Sequence, residues 1–248
     1  MNSIETFLAN PVGYNMPGLV ERLNYIKDVV DLSSWKVITD IGACDGWESA
    51  NFAAVFSDAE VYSFEPSPYN VARWNTTYSQ QSDDVKRRLF LVQAAVTNVT
   101  GPIEFYAIDE EIASQHGVVN NGMGSTLKIV DPRVLPWHYC IQKQVTAEGY
   151  ALDDWCKLAN IPQVDAMWID VQGAELNVLQ GAQHQLENVQ VVMTEAGLIP
   201  YYHGHQMQYD IDQFLISKGF IELKDAQQVH DQKLELNAIY VNRKFAKL

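Results

Sequence analysis

Short apolar runs ending in an acid or a glycine recur along this chain, and segments with apolar residues at helical spacing separate them. From position 36, "KVITDIG" reads as a strand, "WESANFAAVF" as a helix, "EVYSFEP" as a strand, "SPYNVARWNTTYS" as a helix and "LFLVQAAV" as a third strand. The rhythm returns after position 150: "ALDDWC" opens a helix, "VDAMWIDVQG" is a strand, "AELNVLQGAQHQL" a helix, "VQVVMTE" a strand and "QYDIDQFLISKG" a helix. The alternation predicts an α/β fold, a mostly parallel sheet with helices on both faces. "FIELK" and "NAIYVNR" close the chain with no helix between them, so the last strand is expected to be antiparallel. Before the rhythm starts, Pro17 opens a helix whose Leu19, Leu23, Ile26 and Val30 form one apolar face. Residues 1–35 are therefore expected to be an arm and helix packed on a domain spanning 36–248. Residues 98–150 break the rhythm. They are rich in Gly, Asn and Pro and are expected to be an insertion over one edge of the sheet.

Charge narrows the function classes. Lys and Arg number 17 against 31 Asp and Glu, a formal net charge of -14, which disfavours nucleic acid and anionic membranes as partners. Cys44, Cys140 and Cys156 are too few and too widely spaced for a disulfide framework or a cysteine zinc site. The first residues lack the basic start and long apolar core of a signal peptide, and no run approaches the roughly 18 apolar residues of a membrane span. A cytoplasmic location is the expectation.

Ligands of open parallel sheets bind beyond the carboxyl ends of the strands. Four such ends carry acids here: Asp40, Glu65, Asp170 and Glu195. The first turn runs Asp40-Ile41-Gly42-Ala43-Cys44-Asp45-Gly46, which is GxxxG with acids on both sides rather than the GxGxxG of dinucleotide sites. Those acids would repel a pyrophosphate. They suit a ligand with an ammonium, a sulfonium and sugar hydroxyls, and S-adenosylmethionine is such a ligand. Glu65 is placed to accept hydrogen bonds from ribose hydroxyls, and Pro66 stiffens the turn after it.

The segments "DIGACDGWES", "FEPSPYN", "AAVTNVTGPIEFY", "GSTL", "ALDDW", "WIDVQGAELNVLQGA" and "VVMTEAG" resemble, in order and spacing, the FkbM family of S-adenosylmethionine-dependent methyltransferases, over about residues 36–242. The resemblance implies a Rossmann-like class I methyltransferase fold with a seven-stranded sheet. It also implies methylation of a hydroxyl on a sugar, glycan or hydroxylated secondary metabolite. The chain departs from the family's I-D-V-E-G-A-E at Gln172, where the usual residue is Glu.

The expected cofactor residues are Asp40, Gly42, Ala43, Asp45, Gly46, Glu65, Pro66, Ala95 and Asp170. Asp170, Glu195 and His203 are the catalytic candidates, because methyl transfer to an alcohol requires the hydroxyl proton to leave. Asp170 and Glu195 could act as bases, orient hydroxyls or hold Mg²⁺ through oxygen ligands, and the sequence leaves these open. Glu175, in a first helical turn, reads as structural. Ser125, Thr126, Trp137 and His205 are the substrate-side candidates, with His116 and His138 ranked below His203. A nicotinamide-dependent oxidoreductase and a non-catalytic binding module on the same fold are the alternatives, and a nitrogen or protein acceptor is the variant within the leading reading. Oligomeric state is not encoded in any pattern found.

Overall fold

Parallel strands around β1 (Val37–Ile41) organise the chain, whose computed structural model describes residues 17–115, 117, 122–131, 141–229 and 234–247. β2 (Glu60–Phe64) pairs with one edge of β1, and β3 (Leu89–Val92) lies beyond it. β7 (Ala166–Ile169) pairs with the other edge, followed by β8 (Val191–Gly197), and all five strands run the same way. β11 (Glu235–Asn242) then adds antiparallel to β8. Its free edge is shared by β9 (Phe220–Glu222) at one end and β10 (Gln228–Val229) at the other. The eight strands thus fill seven positions, and the antiparallel closing strand is as expected.

Alternation of side chains divides the core into two. Ala166 and Trp168 of β7, with Ile38 and Val61, face a cluster covered by α1 (Pro17–Lys27), α2 (Trp47–Val55) and α3 (Pro68–Ser79). Leu19, Leu23 and Ile26 of α1 are fully buried there, as their spacing predicts. Met167 and Ile169 face the opposite cluster, covered by α6 (Leu152–Leu158), α7 (Glu175–Gln180) and α8 (Gln208–Ser217). Short helices α4 (Asp83–Lys86) and α5 (Glu110–Gln115) were not anticipated.

Two expectations need correction. "LFLVQAAV" is not one strand: β3 stops at Val92, and β4 (Ala95–Val96) leaves for a second sheet with β5 (Gly101–Ile108) and β6 (Gln142–Tyr150). There β4 pairs parallel with the end of β6, and β5 pairs antiparallel with all of it. The expected excursion at 98–150 is therefore bounded by a regular two-stranded ladder. The helix expected across "AELNVLQGAQHQL" ends early at Gly181, where a Cβ would lie 2.0 Å from the Thr97 carbonyl oxygen, so the chain turns under the second sheet. Residues 1–16, His116, Trp137, His138 and Cys140 lie outside the described residues.

After β3 the chain returns to the far side of β1, so strand order reverses between β1 and β7. A crevice opens at such a switch point, beyond the strand ends. The entry to β1 is held by Asp165, a buried carboxylate whose Oδ2 accepts the Lys36 and Val37 backbone N–H groups at 2.7 and 3.0 Å. Asp165→Ala strands those donors in a part-buried position. It should lower unfolding stability by about 1–3 kcal/mol in chemical denaturation.

Candidate active site

The turn after β1 can be followed atom by atom. Gly42 and Ala43 donate their N–H groups to the Phe64 carbonyl, folding the chain back over the end of β2. Gly42 has φ +89°, and a Cβ there would lie 1.8 Å from the Asp170 carbonyl oxygen. Only glycine fits. Gly46, at φ +75°, caps α2, and a Cβ on it would strike the Trp74 indole at 2.3 Å. Asp45 accepts the Trp47 N–H at 3.1 Å.

Two adjoining compartments open above this turn. The first is bordered by Glu65, Pro66, Asn70, Ala95, Phe105 and Thr126. The second is bordered by Asp40, Asp45, Trp47, Glu48 and Trp168. Gly42, Gly122 and Asp170 border both, so Asp170 stands at their junction.

Glu65 accepts the Cys44 N–H at 2.9 Å on one oxygen and the Ser67 N–H at 2.8 Å on the other. A carboxylate has about four lone-pair sites, so capacity remains for further donors. Burial pushes its pKa up to about 7. Asp40 is buried, and its Oδ2 accepts the Ser49 hydroxyl; burial raises its pKa well above the usual range. Asp40 Oδ1 and Thr126 Oγ1 are buried without a hydrogen-bond partner. A donor-rich ligand would satisfy such atoms. The ammonium and ribose hydroxyls of S-adenosylmethionine fit this set of acceptors.

Behind Asp170 lies a network that only the fold assembles. Gln172, at φ +57° and buried, donates its Nε2 hydrogens to Asp170 Oδ1 and to Glu195 Oε2, both at 2.8 Å. Its Oε1 accepts the Tyr202 hydroxyl at 3.2 Å. Burial, then the nearby Asp170 charge, raises the Glu195 pKa well above the usual range, and Glu195 hydrogen-bonds Asp170 as well. Glu195 thus lies behind Asp170 and borders neither compartment. The Gln172 amide occupies the bridge between these carboxylates, where Mg²⁺ had been considered. Among the described residues no three His, Cys, Asp or Glu side chains are grouped to hold a metal ion. Glu175 Oε1 accepts the Val171 and Gly173 N–H groups at 3.2 and 3.0 Å, so this acid braces the turn after β7.

Other expected residues fall elsewhere. Ala43 is buried within the turn. Ser125 is buried too, its hydroxyl donating to the Gln172 carbonyl at 2.8 Å, which ties the second sheet to the β7 turn. His203 is exposed on the loop after β8 and borders neither compartment. His205 packs edge-on against Tyr201 and Tyr202, and burial lowers its pKa to about 4. The fold adds Arg22, Glu48, Asn70, Trp168 and Gln172 to the neighbourhood. Of these, Gln172 stands out in the sequence as a departure from a motif, and Trp168 reads there as a core residue.

A reversing parallel sheet with a glycine turn after β1, an acid ending β2 and an antiparallel closing strand are the marks of the class I methyltransferase fold. The chain belongs to the FkbM family: the family model described as "Methyltransferase FkbM domain" matches residues 40–222. It is 25% identical over 169 residues to the 2-O-methyltransferase NoeI of Sinorhizobium fredii. That match covers 68% of this chain and 66% of the relative, just under two thirds of its length. Among solved structures, it is similar to a magnesium protoporphyrin IX methyltransferase from Synechocystis PCC 6803, with TM-score 0.50 and 10% identity over 93% of this chain and 80% of that one. A precorrin-6y C5,15-methyltransferase from Geobacter metallireducens GS-15 is similar at TM-score 0.48 and 12% identity, over 93% of this chain and 90% of that one. By family and fold the chain thus groups with methyltransferases rather than with nicotinamide oxidoreductases. Among the described residues no helix is long and apolar enough to cross a membrane.

The buried acids give the fold a pH signature. Burial raises Glu175 to about 8 from an ordinary 4.5, so the folded state holds a proton that the unfolded chain releases in that interval. Stability should therefore fall as pH rises from about 4.5 to 8. Glu175→Gln keeps the accepting oxygen and removes the titration. Melting temperatures measured across this window should decline less steeply in the variant than in the unaltered protein.

Proposed function

We propose that this methyltransferase acts on a hydroxyl oxygen of a sugar, glycan or hydroxylated secondary metabolite, with Asp170 as the group that takes the hydroxyl proton. The observation that carries this reading is the place of Asp170 at the junction of the two compartments, on the rim of the switch-point crevice. The likeness to a 2-O-methyltransferase supports an oxygen acceptor.

S-adenosylmethionine, when bound, supplies an electrophilic methyl group on a positively charged sulfur. The chain's own residues divide the remaining work. Glu65, between the Cys44 and Ser67 amides, is suited to ribose hydroxyls. Asp40, with a buried oxygen that lacks a partner, and Glu48 border the compartment suited to the donor's ammonium. Gln172 orients Asp170 through one oxygen and bridges it to Glu195, whose pKa is raised by burial and then by the Asp170 charge. An alcohol is a very weak acid, so its proton must leave as the new carbon–oxygen bond forms, and a fixed carboxylate lowers that barrier. His203 has no part in this scheme, and Glu195 acts through Asp170. Thr126 remains the described hydroxyl placed to meet a ligand.

Asp40→Ala should weaken S-adenosylhomocysteine binding in calorimetry. Asp170→Asn should leave that binding within a few-fold and lower kcat about a hundredfold or more, as loss of a positioned base does. Equal effects of the two variants on binding would undo the division of roles. The acceptor class is tested by mass spectrometry of glycans and hydroxylated metabolites incubated with enzyme and donor, where a gain of one methyl on oxygen is expected; a gain confined to nitrogen would contradict it.

A further inference from the structure

A buried asparagine inside a helix needs a reason, because its amide carries donors and an acceptor that water no longer serves. Asn70 is such a residue. It lies in the first turn of α3, is only 5% exposed and borders the first compartment. Its side chain hydrogen-bonds Glu65. Its Oδ1 accepts an N–H of the Arg73 guanidinium at 3.0 Å, and a second nitrogen of Arg73 donates to Glu110 Oε2 at 2.6 Å. Glu110 opens α5, just after β5. A chain of contacts therefore runs from the second sheet to the carboxylate that ends β2.

Chemistry fixes the direction of each bond. A guanidinium has donors only, so the Asn70 oxygen must face Arg73. That turns the Asn70 amino group toward Glu65, which when ionised can only accept. Without Arg73 the amide is free to turn over and present its oxygen to a carboxylate. Glu65 already holds the Cys44 and Ser67 backbone amides, and Asn70 adds a side-chain donor from α3. Burial raises the Glu65 pKa to about 7 and the Asp170 charge adds to the rise, while the Ser67, Cys44 and Asn70 hydrogen bonds oppose it. Asp40 and the Cys44 thiol, on β1 and the turn after it, also feel the Glu65 charge.

We propose that Asn70 is a positioning residue for the methyl donor: anchored through Arg73 to Glu110, it aims an amide N–H at Glu65 and holds that carboxylate in the orientation that receives the ribose hydroxyls, a role that rests on the reading of Glu65 as the ribose acceptor. The alternative is packing alone, in which Asn70 only fills space beside Pro66 and Phe105. The two differ in what they do to ribose selectivity and to its pH dependence. Packing affects every ligand alike; a donor to the carboxylate affects ligands that carry the hydroxyls, and does so most where Glu65 titrates.

Calorimetry of S-adenosylhomocysteine and its 2′,3′-dideoxy counterpart, with no turnover involved, separates them. The unaltered protein should prefer the hydroxylated ligand roughly ten- to a hundredfold, the worth of hydrogen bonds to a charged acceptor. That preference should rise with pH as Glu65 ionises near 7. In Asn70→Leu, which keeps the volume, the preference near neutrality should shrink about three- to tenfold. The midpoint of its rise should move to higher pH, because a lost donor to the ionised form raises an acid's pKa. Arg73→Met alters a partly exposed side chain, guards against a misfolded Leu variant, and should move both readouts the same way by less. Glu65→Gln should lose the rise near pH 7 and most of the preference. If Glu65→Gln retains both, the ribose reading fails and the role of Asn70 falls with it. If Glu65→Gln loses them while Asn70→Leu keeps both at the unaltered values, only the positioning role is overturned. Equal weakening of the two ligands in Asn70→Leu with the midpoint unmoved also overturns it.

Discussion

One contact governs the site: the backbone of Gly42 lies so near the Asp170 carbonyl that a Cβ could not fit between them. Two turns, one after β1 and one after β7, are thereby pressed together at the point where strand order reverses. Because the first turn must bend back to donate two N–H groups to Phe64, the end of β2 is drawn in as well, and Glu65 arrives beside the Cys44 amide. Because the second turn needs its own support, Glu175 and Ser125 are spent on bracing it. The acids that remain on the rim are the ones the crevice can use.

Bringing so many acids together in a buried place costs stability unless protons or donors intervene. The structure uses both. Backbone amides hold Glu65 and Glu175, an amide side chain holds Asp170 to Glu195, and burial keeps part of the group protonated. Gln172 matters here. A third carboxylate in its place would have met two others at hydrogen-bonding range; its neutral amide donates to both. The departure from the family motif therefore has a local logic, since it fixes Asp170 without adding charge to an already negative rim.

Most of the parallel strands and the acids that end β1, β2, β7 and β8 were legible in the sequence because each rests on local signals: an apolar run, a glycine turn, an acid at a fixed offset. The failures were tertiary. "LFLVQAAV" is uniformly apolar, so nothing local marks where β3 stops and β4 joins another sheet. The helix expected across "AELNVLQGAQHQL" runs through Gly181, whose close approach to Thr97 belongs to a contact 84 positions away. Arg22 was passed over because a lone basic residue on an amphipathic helix normally faces water, and only the packing of α1 over β7 turns it toward Trp168. Ser125 and Glu195 stand out in the sequence, but their spacing could not say that each hydrogen-bonds a neighbour in the turn after β7.

The most direct test of this account is a crystal structure of the protein with S-adenosylhomocysteine. The account predicts the ribose hydroxyls on Glu65, the adenine beside Pro66 and Ala95, and the amino-acid end in the compartment of Asp40, Glu48 and Trp168, with the sulfur nearest Asp170. Density for the nucleoside anywhere other than over the Gly42 turn, or a ribose that avoids Glu65, would contradict it.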